Sequence, residues 1–137
     1  MNPVTITMFT NRPEMAWILL PHARLERGAA GSPDNRRQRA DRGVVAASSG
    51  NHGLGVAHAL SALGGKGIVC VPEVASQVKV AAIRRYGVEV RVMGQEPAAT
   101  ERLARLLAAE ARMSYISPYN DLDVIAGQGT VGEEIVQ

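Results

Sequence analysis

The stretch Val44-Val45-Ala46-Ala47-Ser48-Ser49-Gly50-Asn51-His52-Gly53 joins an apolar run to a polar, glycine-containing turn. The run Val44–Ala47 is short, apolar and partly β-branched, which is typical of a buried strand. A helix is predicted over Leu54–Leu63, because apolar residues recur there at spacings of four and then three. The sequence therefore predicts a strand, a tight turn and the amino terminus of a helix.

The turn Ser48–Gly53 predicts a binding site for an anion. A helix begins with backbone N–H groups that have no intrahelical partner, and the positive end of its dipole lies there. A phosphate or a carboxylate suits this position. Gly50 and Gly53 would let a ligand approach the backbone closely and would permit positive φ angles.

The polar side chains of this turn each have two interpretations. Asn51 can donate a hydrogen bond to a phenolate or carbonyl oxygen. His52 is a candidate general acid or base, although a helix-start residue that contributes mainly its backbone N–H is the commoner case. Ser48 and Ser49 are candidates for anion binding or proton transfer, with helix capping as the alternative.

Strands and helices alternate from Gly43 onward. Further strands are predicted at Gly67–Val71, Val88–Met93 and Tyr115–Ile116. Three further helices are predicted: from the N-cap Ser76 to Tyr86, from Pro97 to Arg112, and within Leu122–Val136 after the N-cap Asp121. The inner face of the helix from Pro97 to Arg112 is predicted to consist of Ala99, Leu103, Leu106 and Leu107. This order predicts a three-layer α/β fold with a parallel four-stranded sheet. In such folds ligands bind beyond the carboxyl ends of the strands, where the Ser48–Gly53 turn is expected.

Composition limits the class of protein. The chain has 137 residues, enough for one domain, and 46% are apolar although only 4% are aromatic, so the core must consist of aliphatic residues. No apolar run reaches the roughly 18–20 residues of a membrane span, and we expect a cytoplasmic protein. The single cysteine, Cys70, lies in an apolar run and is expected to be a buried structural thiol. No histidine has partners at metal-ligand spacing, so no metal site is expected.

The first 42 residues differ from the rest in charge. They contain seven Arg and four acidic residues, whereas residues 43–137 contain eight basic and nine acidic residues. A strand-like run at Val4–Phe9 is followed by a segment rich in Arg, Gly and Pro. We expect 1–42 to be a divergent, poorly ordered arm. Nucleic-acid binding is disfavoured, because no aromatic residues alternate with the arginines.

The turn Ser48–Gly53 resembles the Ser-Ser/Ala-Gly-Asn-His turn of the fold-type-II pyridoxal-phosphate enzymes, in particular threonine/serine dehydratases and serine racemases. Three later pieces agree in order with that family. They are the stretch from Val71-Pro72 through Lys79, Ala82 and Arg84 to Gly87-Val88-Glu89-Val90, the segment Ser117–Asp121, and Val124–Thr130 with Glu134-Ile135. Residues 43–137 thus resemble the small α/β domain of such an enzyme.

The resemblance implies a pyridoxal 5'-phosphate-dependent ammonia-lyase that acts on L-threonine or L-serine. It implies that Asn51 hydrogen-bonds the ring hydroxyl of the cofactor. The substrate carboxylate would be held, largely through backbone N–H groups, by Ser48, Ser49, Gly50, Asn51 and His52. Ser49 aligns with the second acid/base of serine racemases, so a racemase is the alternative activity.

One residue of the family pattern is missing. The family's imine-forming lysine lies upstream of the turn. In this sequence the upstream segment that most resembles the family's lysine motif is Arg27-Gly28-Ala29, and it places Leu25 at the position of the lysine. The only lysines, Lys66 and Lys79, lie downstream. We therefore expect little or no activity from this chain alone.

The family's later half, with its glycine-rich phosphate loop, has no counterpart before Gln137. A truncated or frame-disrupted gene is the expected account, and the chain need not retain the cofactor. The alternative is a non-catalytic domain that binds a small anion or a partner subunit. Exposed apolar edges would favour self-association.

Overall fold

The computed structural model describes residues 41–122, 124–125, 128–129 and 135–136. Strands and helices alternate from Val44 to Tyr115. In chain order they are β1 (Val44–Ala47), α1 (Asn51–Leu63), β2 (Gly67–Val71), α2 (Gln77–Arg84), β3 (Glu89–Val92), α3 (Pro97–Glu110) and β4 (Ser114–Tyr115). Within this described part, no helix is long and apolar enough to cross a lipid bilayer.

The four strands form one parallel sheet in the order β3-β2-β1-β4. Val44 of β1 is in register with Gly67 of β2 and with Ser114 of β4. Parallel neighbours need long crossover connections, and the helices supply them. The predicted parallel four-stranded α/β sheet is confirmed, and the carboxyl ends of its strands share one edge.

The helices cover both faces of the sheet, which confirms the three-layer arrangement. Successive side chains of a strand point to opposite faces. On one face Val44 and Ala46 pack with Leu60 of α1. On the other face Val45 and Cys70 belong to a separate cluster, which includes Ala104 and Ala108 of α3.

Cys70 is buried in the layer beneath α3. Burial raises the pKa of its thiol to about 11. The nearby charge of Arg91 lowers this pKa and that of Glu89 raises it, each by less than the effect of burial. A neutral, buried thiol behaves as a small apolar residue. The expected structural role of Cys70 is therefore consistent with its position.

The predicted inner face of α3 is right at Leu107, which packs against the cluster beneath the helix, and wrong at Leu103 and Leu106. Thr100, Ala104 and Ala108 are buried, whereas Leu106 is 62% exposed and Leu103 is 38% exposed. Small residues on the contact face let the helix axis lie close to the sheet, and larger residues are then displaced to the flank. Hydrophobicity alone favoured the leucines and overlooked this constraint of size.

Other boundaries differ by one to three residues. α1 begins at Asn51 rather than Leu54, because Gly50 is its N-cap and the polar residues 51 and 52 already have helical geometry. Its carboxyl end is as predicted, since Gly64 has a φ of 64° and the Gly65 N–H donates to the Leu60 carbonyl oxygen. The fourth strand is Ser114–Tyr115 instead of Tyr115–Ile116.

The predicted N-cap of the last helix is confirmed at Asp121. Its Oδ1 accepts a hydrogen bond from the Val124 N–H at 3.4 Å, and its carbonyl oxygen accepts one from the Ile125 N–H at 2.9 Å. The strand predicted at Val4–Phe9 and the arm 1–40 lie outside the described residues, as do several positions of the segment Val124–Thr130.

Candidate functional site

A cleft of about 330 Å³ opens at the carboxyl edge of the sheet. It is lined by Ala47, Ser48, Ser49, Gly50, His52, Pro72, Pro97, Thr100, Pro118 and Tyr119. These residues follow the carboxyl ends of β1, β2 and β4 or begin α3. The cleft thus lies where parallel α/β sheets bind their ligands.

One wall of the cleft is the β1–α1 turn, Ser48–Gly50. The Ser48 N–H continues the sheet by donating to the Cys70 carbonyl oxygen at 3.1 Å. The Gly50 N–H then donates to Ser48 Oγ at 3.1 Å, so this hydroxyl fixes the turn. The Ser48 side chain therefore stabilises the turn before α1 without capping the helix, and its role in anion binding stays a prediction.

The first turn of α1, which begins at this wall, has N–H groups without an intrahelical partner. Its first intrahelical bond runs from the Leu54 N–H to the Gly50 carbonyl oxygen, at 3.1 Å, and no side chain of the N-cap bonds the first turn. The N–H groups of residues 51–53 consequently have no partner within the helix. They lie at the positive end of the helix dipole, which suits a carboxylate or a phosphate.

The two glycines of the turn serve different purposes, and neither has a positive φ. A Cβ at Gly53 would overlap the Ser48 carbonyl oxygen and would lie 3.2 Å from Val69 Cγ1. A Cβ at Gly50 would meet only Ser48 Oγ, at 3.8 Å. Gly53 is thus required by packing, whereas Gly50 leaves unfilled space beside the cleft.

The ring of His52 crosses from α1 to the end of β4. Its Nε2 lies 3.1 Å from the Ile116 carbonyl oxygen. A carbonyl oxygen only accepts hydrogen bonds, so Nε2 carries the hydrogen. Burial lowers the pKa of His52 below 6.5, although the bond to Ile116 and the charge of Asp121 act in the opposite direction. The ring is therefore neutral near pH 7 and fixed as one tautomer.

This lowered pKa predicts a pH effect on stability. Between pH 6.5 and the lower pKa of the folded state, the unfolded chain binds a proton at His52 that the folded chain does not. The free energy of unfolding should therefore fall as the pH is lowered through this window. Urea unfolding at about pH 7.5 and about pH 5.5 should show a smaller fall for His52→Gln than for the natural chain. Equal falls would contradict the prediction.

Ser49 and Asn51 occupy different positions relative to the cleft. Ser49 lines it, directly after β1. Asn51 is the first residue of α1; its side chain is exposed and is not among the lining residues. The role predicted for Asn51 in contacting a cofactor hydroxyl and the acid/base role of Ser49 stay predictions.

The opposite side of the cleft was not predicted from the residues. Pro118 and Tyr119 line it after β4, and Ser117 Oγ accepts hydrogen bonds from the N–H groups of Tyr119 and Asn120, each at 3.2 Å. At the start of α3, the Thr100 hydroxyl lies within hydrogen-bonding distance of two carbonyl oxygens. The position of these residues directly after predicted strands could have identified this side of the cleft, because such residues share one edge of a parallel sheet.

Neither lysine of the sequence lines the cleft. Lys66 precedes β2, and its carbonyl oxygen accepts a hydrogen bond from the Val44 N–H at the amino edge of the sheet. Lys79 is an exposed residue of α2. The described cleft therefore offers donors for an anion but no primary amine of its own.

Comparison with known proteins gives a consistent family. The model of the family described as pyridoxal-phosphate dependent enzyme matches residues 21–137. The chain is 41% identical, over 96 residues, to the L-threonine dehydratase catabolic TdcB of Staphylococcus aureus. The aligned segment covers 70% of this chain and 28% of that protein.

Solved structures agree with this result. The processed form of threonine deaminase isoform 2 from Solanum lycopersicum is 37% identical with a TM-score of 0.67, over 72% of this chain and 29% of that one. Maize serine racemase is 30% identical with a TM-score of 0.66, over 73% of this chain and 30% of that one. The chain thus spans about three tenths of the length of the relatives it matches.

Proposed function

Because the chain belongs to the family of pyridoxal-phosphate-dependent enzymes, we propose that it is the amino-acid-binding part of a threonine/serine dehydratase. The observation that carries this proposal is the amino end of α1 at the cleft wall, where the N–H groups of residues 51–53 have no partner within the helix and where Gly50 and His52 line the cleft. A hydroxy-amino acid is the ligand in view, and its carboxylate would lie against these donors. Relatives named as threonine dehydratase and threonine deaminase support this choice.

The shape of the cleft supports a small ligand. Gly50 leaves space at the amino end of α1, since a Cβ there would approach only Ser48 Oγ. Across the cleft, Pro72, Pro97 and Pro118 contribute no N–H groups. Backbone donors are therefore concentrated on the α1 side, which would orient a carboxylate toward Gly50 and leave the apolar wall for the rest of the molecule.

The residues present do not fit covalent attachment of pyridoxal phosphate. The family's chemistry needs a lysine amine, and both lysines of this chain lie away from the cleft. We therefore derive no catalytic step from these residues. A non-covalent contact of Asn51 with the ring hydroxyl remains part of the proposal.

Titration with L-threonine, followed by amide NMR, tests the proposal. We expect the amide signals of residues 50–53 to move most. L-Threoninol, which has a hydroxymethyl group in place of the carboxylate, should bind about tenfold more weakly, since it forms no charge-assisted hydrogen bonds. Equal binding of the two compounds, or shifts confined to residues outside the cleft, would overturn the proposal.

A non-catalytic binding domain is the second candidate, and the positions of Lys66 and Lys79 favour it. A racemase is the third, supported by the position of Ser49 in the cleft and by the similarity to maize serine racemase. A cytoplasmic location and self-association complete the proposal as it was predicted from the sequence.

A further inference from the structure

We propose that His52 is a positioning residue, whose ring fixes the wall of the cleft opposite the β1–α1 turn by its hydrogen bond to Ile116. Only the expected effect of His52 on L-threonine binding rests on the proposed function. The ring of His52 thus has a role distinct from substrate contact and from proton transfer. The far wall is defined as Pro118 and Tyr119, the two lining residues that follow β4.

The bond joins two distant parts of the chain, the amino end of α1 and the residue that follows β4. His52 is the second residue of α1, and the acceptor Ile116 lies 64 positions later. Ile116 is fully buried, and its N–H donates to the Val45 carbonyl oxygen at 2.9 Å. The bonded carbonyl therefore stands at the point where the chain leaves the sheet.

Among the described contacts, the far wall follows the short strand β4 and the buried residue Ile116. In the part of the sheet that the structure describes, β4 is an edge strand of two residues, Ser114–Tyr115, which pairs with β1. Beyond it, order is maintained by local bonds, in which Ser117 Oγ accepts from the N–H groups of Tyr119 and Asn120. These bonds shape the segment, and the His52 bond links the residue before it, Ile116, to the helix that carries the opposite wall.

Two amide substitutions separate a role of Nε2 from a role of Nδ1. The side-chain nitrogen of glutamine can take the place of histidine Nε2, while that of asparagine takes the place of Nδ1. His52→Gln should therefore preserve the donor to Ile116, and His52→Asn should remove it. His58 lies on the same helix against Tyr86 and away from the cleft, so His58→Asn is the matched control.

Amide hydrogen exchange in the full chain provides the first test, and it needs no ligand. In His52→Asn, exchange of the amide hydrogens of Ser117, Tyr119 and Asn120 should be about tenfold faster than in the natural chain, because the local opening free energy loses one hydrogen bond. His52→Gln and His58→Asn should leave it within about twofold. Equal exchange in all four proteins would overturn the proposal.

Ligand binding and the ring itself provide the second test. L-Threonine should bind about tenfold more weakly to His52→Asn and with restored affinity to His52→Gln. Ring-nitrogen chemical shifts of the natural chain should show a hydrogen on Nε2, and a hydrogen on Nδ1 alone would overturn the proposal even if His52→Asn failed to fold. If the natural chain bound no L-threonine, the proposed function would fail while the exchange result would still decide this inference.

Discussion

Gly53→Ala is expected to destabilise the domain by about 3 kcal/mol, which is a large part of the stability of a small domain. The added methyl group would overlap the Ser48 carbonyl oxygen and lie 3.0 Å from the Ser48 carbonyl carbon and 3.2 Å from Val69 Cγ1. Both sides of this contact are rigid. Ser48 is held to β2 through the bond from its N–H to Cys70, and Gly53 is already within α1.

Gly50→Ala is the matched control, because both substitutions add one methyl group at the start of α1 and restrict the unfolded chain equally. At Gly50 the methyl group would approach only Ser48 Oγ, at 3.8 Å, and the φ of −101° suits alanine. Its cost should be less than about 1 kcal/mol, from the poorer N-cap. Urea unfolding of the two variants should show this difference, and equal midpoints at equal slopes would refute it.

The sequence predicts the buried strands well, since their local pattern and their tertiary environment agree. β1 and β2 have the predicted limits because each is an unbroken apolar run bounded by a turn or by Pro72. A run of this kind is typical of a parallel strand covered on both faces. The position of the Ser48–Gly53 turn follows from the same logic, because a turn after a parallel strand lies at the edge of the sheet where such folds bind ligands.

The remaining differences arise where contacts between distant residues decide the outcome. Helical periodicity could not distinguish Leu103 and Leu106 from Ala104 on α3, because the closeness of the helix to the sheet selects the small residue. The ring of His52 was open to several interpretations, and its bond to Ile116 depends on a residue 64 positions away. Only the assembled sheet brings the two together.

Incubation of this chain with pyridoxal phosphate, followed by borohydride reduction, is expected to leave no cofactor attached within the cleft. Reduction makes a lysine adduct permanent, and Lys66 and Lys79 are both exposed and outside the cleft. Peptide mass spectrometry should therefore find at most substoichiometric labelling of these two lysines. A doubly substituted variant, Lys66→Arg with Lys79→Arg, should lose that labelling and keep its affinity for L-threonine.

Release of ammonia and 2-oxo acid from L-serine should likewise not exceed the rate with free pyridoxal phosphate. In pyridoxal-phosphate chemistry the cofactor is the electron sink and a lysine amine forms the imine that holds it, and hydrogen-bond donors on the β1–α1 side cannot replace that amine. The carboxylate binding proposed for residues 51–53 does not depend on a lysine, so binding without turnover is the expected combination. Stoichiometric labelling of one lysine together with turnover would contradict this separation, because it would require an amine at a place where the described cleft has none.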